Sequence, residues 1–219
     1  MSALRIAKGM AEVSGARICV LDTEKESSNL YADVCEFDVL GFNPPFPADK
    51  YVKGIKLAET EGYGICIIDS ASHEWAGEGG ILNLVDKLTQ ASSSKNSYAA
   101  WNTATPVHNS FVEAILQSSM HVIVTLRSKV AYELVKNEKT GRTAPVKVGM
   151  APITREGMDF EFTTWLDLET QTHYATAGKD RTKLFSPTEP VILSEETGRA
   201  LLHWLNNVKE EEVGEDSRG

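Results

Sequence analysis

Cysteine is scarce in this chain: Cys19, Cys35 and Cys66 are the only three, and no two stand in a CxxC spacing. An odd, widely spaced set excludes a disulfide framework and a cysteine zinc site, and it suits a reducing cytoplasm. Long apolar runs are missing too. None reaches the roughly 18 residues a membrane span needs, so no membrane partner is expected. The opening MSALRIAKGMAEVSG lacks the apolar centre and cleavage site of a secretory signal. Bases are the minority, 22 against 31 acids, for a net charge of −9. That argues against coating nucleic acid by bulk charge and leaves only a local basic patch for such contact. Part of the deficit lies in Lys209–Gly219 (KEEEVGEDSRG), whose composition predicts a disordered acidic tail. No internal repeat is present.

What is there fits one α/β domain over residues 1–208 with a substantial core. Residues 2–13 carry apolar positions at helical spacing, stopped by Gly15. Arg17–Leu21 (RICVL) reads as a buried parallel strand, and Val34–Leu40 as a weaker one. Pro44, Pro45 and Pro47 break the chain before a second amphipathic helix over Ala48–Glu61. Gly64–Ile68 (GICII) is the most strand-like run and ends in Asp69. Helices follow over Ile81–Gln90 and Thr105–Ser118, the latter with Pro106 in its first turn. His121–Leu126 is a third buried strand. Strands alternating with helices imply a parallel sheet. The pattern then changes to two hairpins, Val130–Lys136 with Thr143–Val148 and Phe162–Leu168 with Thr172–Ala177, before a closing helix over Ser194–Val208.

Several side chains near strand ends could carry chemistry. Asp69 stands at the C-terminal edge of a central parallel strand, where a carboxylate can hold magnesium through water. It is equally the common form of a strand-ending Asp. Glu24 follows the neighbouring strand in Asp22-Thr23-Glu24 and could polarise an attacking water, or simply cap a loop. His73 and Glu74 in DSASHEW could form a metal or general-base site, although the spacing is not HExxH, and His73 is equally read as a satisfied loop histidine. Lys179 and Arg181, at i and i+2 on a strand end, point the same way. They are either a solvated turn pair or a cationic pair aimed at one ligand.

Taken in order, helix, strand-DTE, strand-DSASHEW, helix, strand-TLRSK, hairpin, KVGMAPITREGMDFEFTTWLDL and KDRTKLF, the chain resembles the RecA-like "AAA family" ATPases of bacteriophages. The Sak-type single-strand annealing proteins are among their relatives. The resemblance covers about residues 2–207 and implies a RecA-like P-loop core, a parallel sheet flanked by helices with antiparallel hairpin additions on its C-terminal side. It also implies ATP as substrate, Mg²⁺ as cofactor, assembly into a homo-oligomeric ring or filament, and action on single-stranded DNA in the host cytoplasm. Position by position, Asp69 matches the Walker B aspartate that holds Mg²⁺, with Ser70 beside it at the nucleotide. Glu24 matches the catalytic glutamate, with Glu74 as a second candidate. Thr125 and Arg127 sit where this branch senses the γ-phosphate, and Lys179 and Arg181 match a finger pair acting in trans. For DNA, the basic positions of the first hairpin are the candidates: Lys129, Lys136, Lys139, Arg142 and Lys147. An ordinary solvated hairpin would carry the same charges.

One departure stands against this. The family's GxxGxGK[ST] loop belongs just before a helix like SALRIAKGMAE, where the chain begins, and no later segment supplies it. Two readings compete: an ATPase trimmed before its phosphate loop, which the remaining catalytic positions favour, or a binding or assembly module that keeps the fold without turnover.

Overall fold

The protein is described by a computed structural model covering residues 1–93, 95–136 and 143–216. Its frame is a four-stranded parallel sheet in the order β2-β1-β3-β4, built from β1 (Ile18–Asp22), β2 (Asp38–Gly41), β3 (Ile65–Asp69) and β4 (His121–Val124). β1 and β3 lie in the middle and run in register, Ile18 opposite Ile65 through Asp22 opposite Asp69. Side chains alternate between the two faces of a strand. Cys19, Leu21, Cys66 and Ile68 therefore enter one core with α2 (Ala48–Thr60) and α5 (Ser97–Leu116). Ile18, Val20, Ile65 and Ile67 enter a second core with α1 (Ser2–Ser14) and α6 (Glu195–Asp216). Both faces being covered explains why these strands read as continuous apolar runs.

Three sequence expectations need correction. β4 is only partly buried, because within this sheet it pairs with β3 alone and forms an edge. α5 starts at Ser97 rather than Thr105, so Pro106 lies in its interior. Asn96 caps it by accepting the Tyr98 N–H at 2.9 Å, and Ala100, Ala104, His108, Phe111 and Ile115 form its buried stripe. Polar neighbours hid that stripe in the sequence. The weak strand at 34–40 is confined to Asp38–Gly41, paired parallel to β1. A short helix, α3 (Ser72–Ala76), and α4 (Ile81–Ala91) fill the span between β3 and α5.

The additions are antiparallel, as the hairpin signals indicate. β5 (Ser128–Lys136) pairs with β6 (Thr143–Pro152) in a separate ribbon. β7 (Thr164–Leu168), β8 (Tyr174–Asp180) and the short β9 (Val191–Ile192) form a small sheet whose inner side, through Leu166, Ala175 and Val191, joins the α1–α6 core. α6 continues past Val208 through most of the acidic stretch. No helix among the described residues is long and apolar enough to cross a membrane.

α1 and α6 cross at van der Waals distance, and two glycines permit it. A Cβ on Gly9 would stand 1.8 Å from the Glu195 carbonyl oxygen, and one on Gly198 2.0 Å from the Ile6 carbonyl oxygen. Lys8–Glu195 and Arg199–Glu12 ion pairs flank the crossing. Any side chain at either glycine forces the helices apart. Gly198→Ala is expected to cost about 1–3 kcal/mol, the usual range for overpacking a close-fitted contact. The check is a urea midpoint moved downward with an unchanged slope; a midpoint equal to wild type would refute this account of the crossing.

Candidate functional site

The site is built where β1 and β3 end. Asp22 is fully buried and spends its carboxylate on the loop that follows it. Oδ1 accepts the N–H groups of Glu24 (2.7 Å) and Glu26 (3.2 Å), while Oδ2 accepts the N–H (2.9 Å) and hydroxyl (2.5 Å) of Ser28. Hydrogen bonds to a charged acceptor contribute about 1.5–3 kcal/mol each. They hold Lys25 and Glu26 in the left-handed region, φ 58° for both, which residues with a Cβ rarely adopt unaided. Thr23 ties the two strand ends together. Its N–H reaches the Asp69 carbonyl at 2.7 Å, its hydroxyl accepts the Ser70 N–H at 2.8 Å, and that hydroxyl also meets His73 Nδ1 at 2.7 Å. The His73 ring stacks on Phe46, 4.8 Å between centroids.

With the loop held this way, the Glu24 carboxylate turns back over β3. Oε1 accepts from the Ser70 hydroxyl at 3.1 Å and from Arg127 Nε at 2.8 Å, and Oε2 accepts from a second Arg127 nitrogen. Arg127 lies just past β4. Its N–H is held by the Ser72 hydroxyl (2.9 Å) and its carbonyl by the Ile153 N–H (2.7 Å). Asp69 accepts the Thr125 hydroxyl on Oδ1 at 2.6 Å. Burial pushes the Asp69 carboxyl above the usual carboxylate range; the Thr125 bond works against this, and the charges of Glu24 and Asp22 add to it. α1 presents its N-terminal end here, since the charge of Asp69 acts on the Met1 amino group. That helix end has no side-chain cap and no acid in its first turn, and the first amides of a helix have no partner within it.

Asp69, Ser70, Glu24, Thr125 and Arg127, singled out in the sequence, thus stand at neighbouring strand ends in two hydrogen-bonded groups, Asp69 with Thr125 and Glu24 with Ser70 and Arg127. Their donors are all oxygen apart from the guanidinium, which suits a hard cation such as Mg²⁺ held largely through water. No cluster of three or more His, Cys, Asp or Glu that could hold a metal ion occurs among the described residues. The other sequence candidates lie elsewhere. Glu74 is buried and meets His108 Nδ1 at 3.1 and 3.2 Å, with Trp75 edge-on to the same imidazole. Burial raises its carboxyl, and the His108 bond partly reverses the shift. Lys179, in β8, and Arg181, just past its end, do turn to the same place. Lys179 Nζ donates to the carbonyls of Asp159 (3.0 Å) and Phe160 (2.5 Å), and Arg181 reaches the Phe160 carbonyl at 3.5 Å. Of the hairpin cations, Lys129 is exposed on β5. Lys139 and Arg142 lie outside the described residues, as do the side chains of Lys136 and Lys147.

Sequence reasoning gave no role to Asp22 as a loop organiser or to His108. The Asp22 pattern, an acid followed at two, four and six residues by amides it holds, leaves no side-chain signature except Ser28. His108 meets Glu74 across 34 residues, a pairing that no local spacing reveals. A family model described as an AAA domain matches residues 6–192. No curated protein matches the chain.

A raised acid has a consequence for stability. For a carboxyl whose folded pKa lies above its unfolded value, the contribution is fully present below the unfolded pKa, about 3.9 for Asp, and is lost as pH rises through the folded value. At neutral pH the charged Asp69 therefore destabilises the fold. Asp69→Asn, which keeps an oxygen for Thr125, is expected to melt higher than wild type at pH 7.5. The difference should disappear as the pH falls towards about 4. Thermal melts across this range check it, and a variant that melts lower at pH 7.5 would show that Asp69 is not strained by burial.

Proposed function

The chain belongs to the AAA-domain family, a family of nucleotide-binding P-loop ATPases, and on that premise we propose that it hydrolyses ATP with Mg²⁺ at the Asp69–Glu24 cleft and acts as an oligomer on single-stranded DNA. The bacteriophage setting, in recombination or replication inside the bacterial cytoplasm, rests on the sequence resemblance. The observation that carries the reading is the convergence of Asp69, Thr125, Glu24, Ser70 and Arg127 beside the N-terminal end of α1. In this reading the α1 amides bind phosphate oxygens. Asp69 holds the water shell of Mg²⁺, which would neutralise charge on the phosphates. Thr125 orients the Asp69 carboxylate. Glu24 takes a proton from the attacking water, once a γ-phosphate draws Arg127 away from it. Lys179 and Arg181 serve the cleft of a neighbouring copy, because in their own copy both are turned to the Asp159–Phe160 turn. The cations of the β5–β6 ribbon are the proposed DNA contacts.

A second reading has one observation in its favour: the 219 residues contain no GxxxxGK[ST] segment. A fold of this kind without a phosphate loop would bind or assemble without turnover. The 219 residues are expected to bind Mg-ATP poorly, since that loop supplies most phosphate contacts; a micromolar dissociation constant in titration calorimetry would show that α1 and the cleft suffice for binding without it.

Two experiments on a version extended through a GxxGxGK[ST] loop test the ATPase reading. Glu24→Gln is expected to retain ATP binding and lose turnover by roughly 10²-fold or more, the range for removing a general base. Normal turnover in Glu24→Gln together with its loss in Glu74→Gln would move the role to Glu74. For the finger pair, Arg181→Ala and Asp69→Ala proteins are each expected to be nearly inactive, and mixing them should restore part of the activity. Mixed contacts then pair an intact cleft with an intact finger, and a finger in trans can contribute about 10³-fold or more. Absence of recovery in mixtures shown by light scattering to co-assemble would eliminate the trans role.

A further inference from the structure

β8 ends on Asp180, an acid that stands in the chain between two bases, Lys179 and Arg181. A carboxylate in that place could neutralise either of them, yet among the described residues it pairs with neither. Oδ1 accepts the N–H (2.8 Å) and hydroxyl (2.5 Å) of Thr182 and the Thr164 hydroxyl (3.2 Å), and Oδ2 accepts the Phe185 N–H (2.9 Å). Burial raises the Asp180 carboxyl, but these bonds outweigh it and hold the group below the usual carboxylate range. The loop they close, 180–185, is fastened along its length. The Arg181 N–H reaches the Thr163 carbonyl at 3.0 Å, the buried Thr182 hydroxyl accepts the Leu184 N–H at 3.2 Å, and Phe185 packs into the α1–α6 core. Lys183, at the tip, is kept in the left-handed region at φ 61°. The same device works at the end of β1, where Asp22 takes four donors and so sets the place of Glu24.

The consequence falls on the two cations. Lys179 donates only to the Asp159 and Phe160 carbonyls, with its ammonium 5.8 Å from the Phe160 ring centroid, and Arg181 reaches only the Phe160 carbonyl. Neutral acceptors hold a cation less strongly than an anion does, so a phosphate arriving from outside can displace them. Long side chains are aimed accurately only when the backbone that carries them is fixed. We propose that Asp180 is a positioning residue for Lys179 and Arg181: by committing its carboxylate to the 180–185 loop it fixes the backbone beside both cations and leaves their charge for a phosphate held by a neighbouring copy. This rests on the reading of the pair as fingers in trans, and it adds the residue that aims them.

The test has two stages. On the 219 residues, Asp180→Asn is expected to melt lower than wild type at pH 7.5, by about 2 °C or more. A carboxyl held below its unfolded value contributes stability that is present above that value, about 3.9, and is lost as pH falls through the folded one. The difference should therefore shrink below about pH 4, and equal melts at pH 7.5 overturn the loop account. In the version extended through the phosphate loop, Asp180→Asn is expected to lose turnover about tenfold or more, since a misplacement of about 1 Å can cost about 10²-fold. Mixing it with Asp69→Ala should restore part of the activity, because that subunit brings an aimed finger to an intact cleft. Mixing it with Arg181→Ala should restore none, because neither subunit then has one. Thr182→Val, which removes one donor and keeps the side-chain size, should behave alike with a smaller loss. Rescue by neither partner would mark a purely structural lesion, rescue by Arg181→Ala would assign Asp180 to its own cleft, and normal turnover would leave it no role; each of these overturns the proposal. An inactive wild type, or failure of Arg181→Ala and Asp69→Ala to restore one another, would instead sink the underlying reading, and the proposal with it.

Discussion

Two parallel strands at the centre of the sheet end in carboxylates, Asp22 directly opposite Asp69. Two acids side by side at the rim of a buried sheet cannot both be left unpaired without large cost. The chain treats them differently. Asp22 is turned inward and given four donors, all from the loop it precedes. Asp69 receives a single hydroxyl from Thr125 and keeps a carboxyl that burial makes reluctant to ionise. The first arrangement buys a rigid loop and so the position of Glu24. The second leaves an acid whose charge is best satisfied by something added from outside, which is the property a cation-dependent site needs.

The same asymmetry decides what each neighbouring residue does. Thr23 lies between the two strand ends and bonds to the β3 backbone and to His73, so the loop cannot shift without disturbing α3. α3 in turn is anchored from below by Glu74 on His108. A carboxylate this deep is tolerated because an imidazole meets it, and removing either partner would leave a buried polar group unsatisfied. Glu74 thus acts as a foundation in this structure, one residue along from the site side of α3, while Glu24 occupies the rim.

The sequence makes the frame legible because the frame obeys local rules. β1 and β3 are short apolar runs covered on both faces, α1 and α2 repeat with helical period, and Gly15 takes the left-handed conformation, φ 70°, expected of a helix stop. Asp69 and Glu24 were legible as strand-end carboxylates, and the resemblance put them in one cleft. What stayed hidden depends on distance along the chain. Arg127 meets Glu24 across 103 residues, and Glu74 turns to His108 rather than to the cleft. The first half of α5 was hidden for another reason: its buried stripe is largely alanine, which sets it apart poorly from its polar surroundings.

Arg127 is where the parallel core and the added ribbon meet. Its guanidinium holds Glu24 with two nitrogens, its N–H is fixed by Ser72, and its carbonyl closes the root of the ribbon through Ile153. One residue therefore shares its backbone with the ribbon and its side chain with the cleft. The guanidinium is half exposed, while the Glu24 side chain is largely buried and takes two nitrogens, the forked geometry in which such pairs are strong. The geometry thus joins the two regions through one residue, and the place of the Glu24 carboxylate is fixed jointly by the parallel core and by the root of the ribbon.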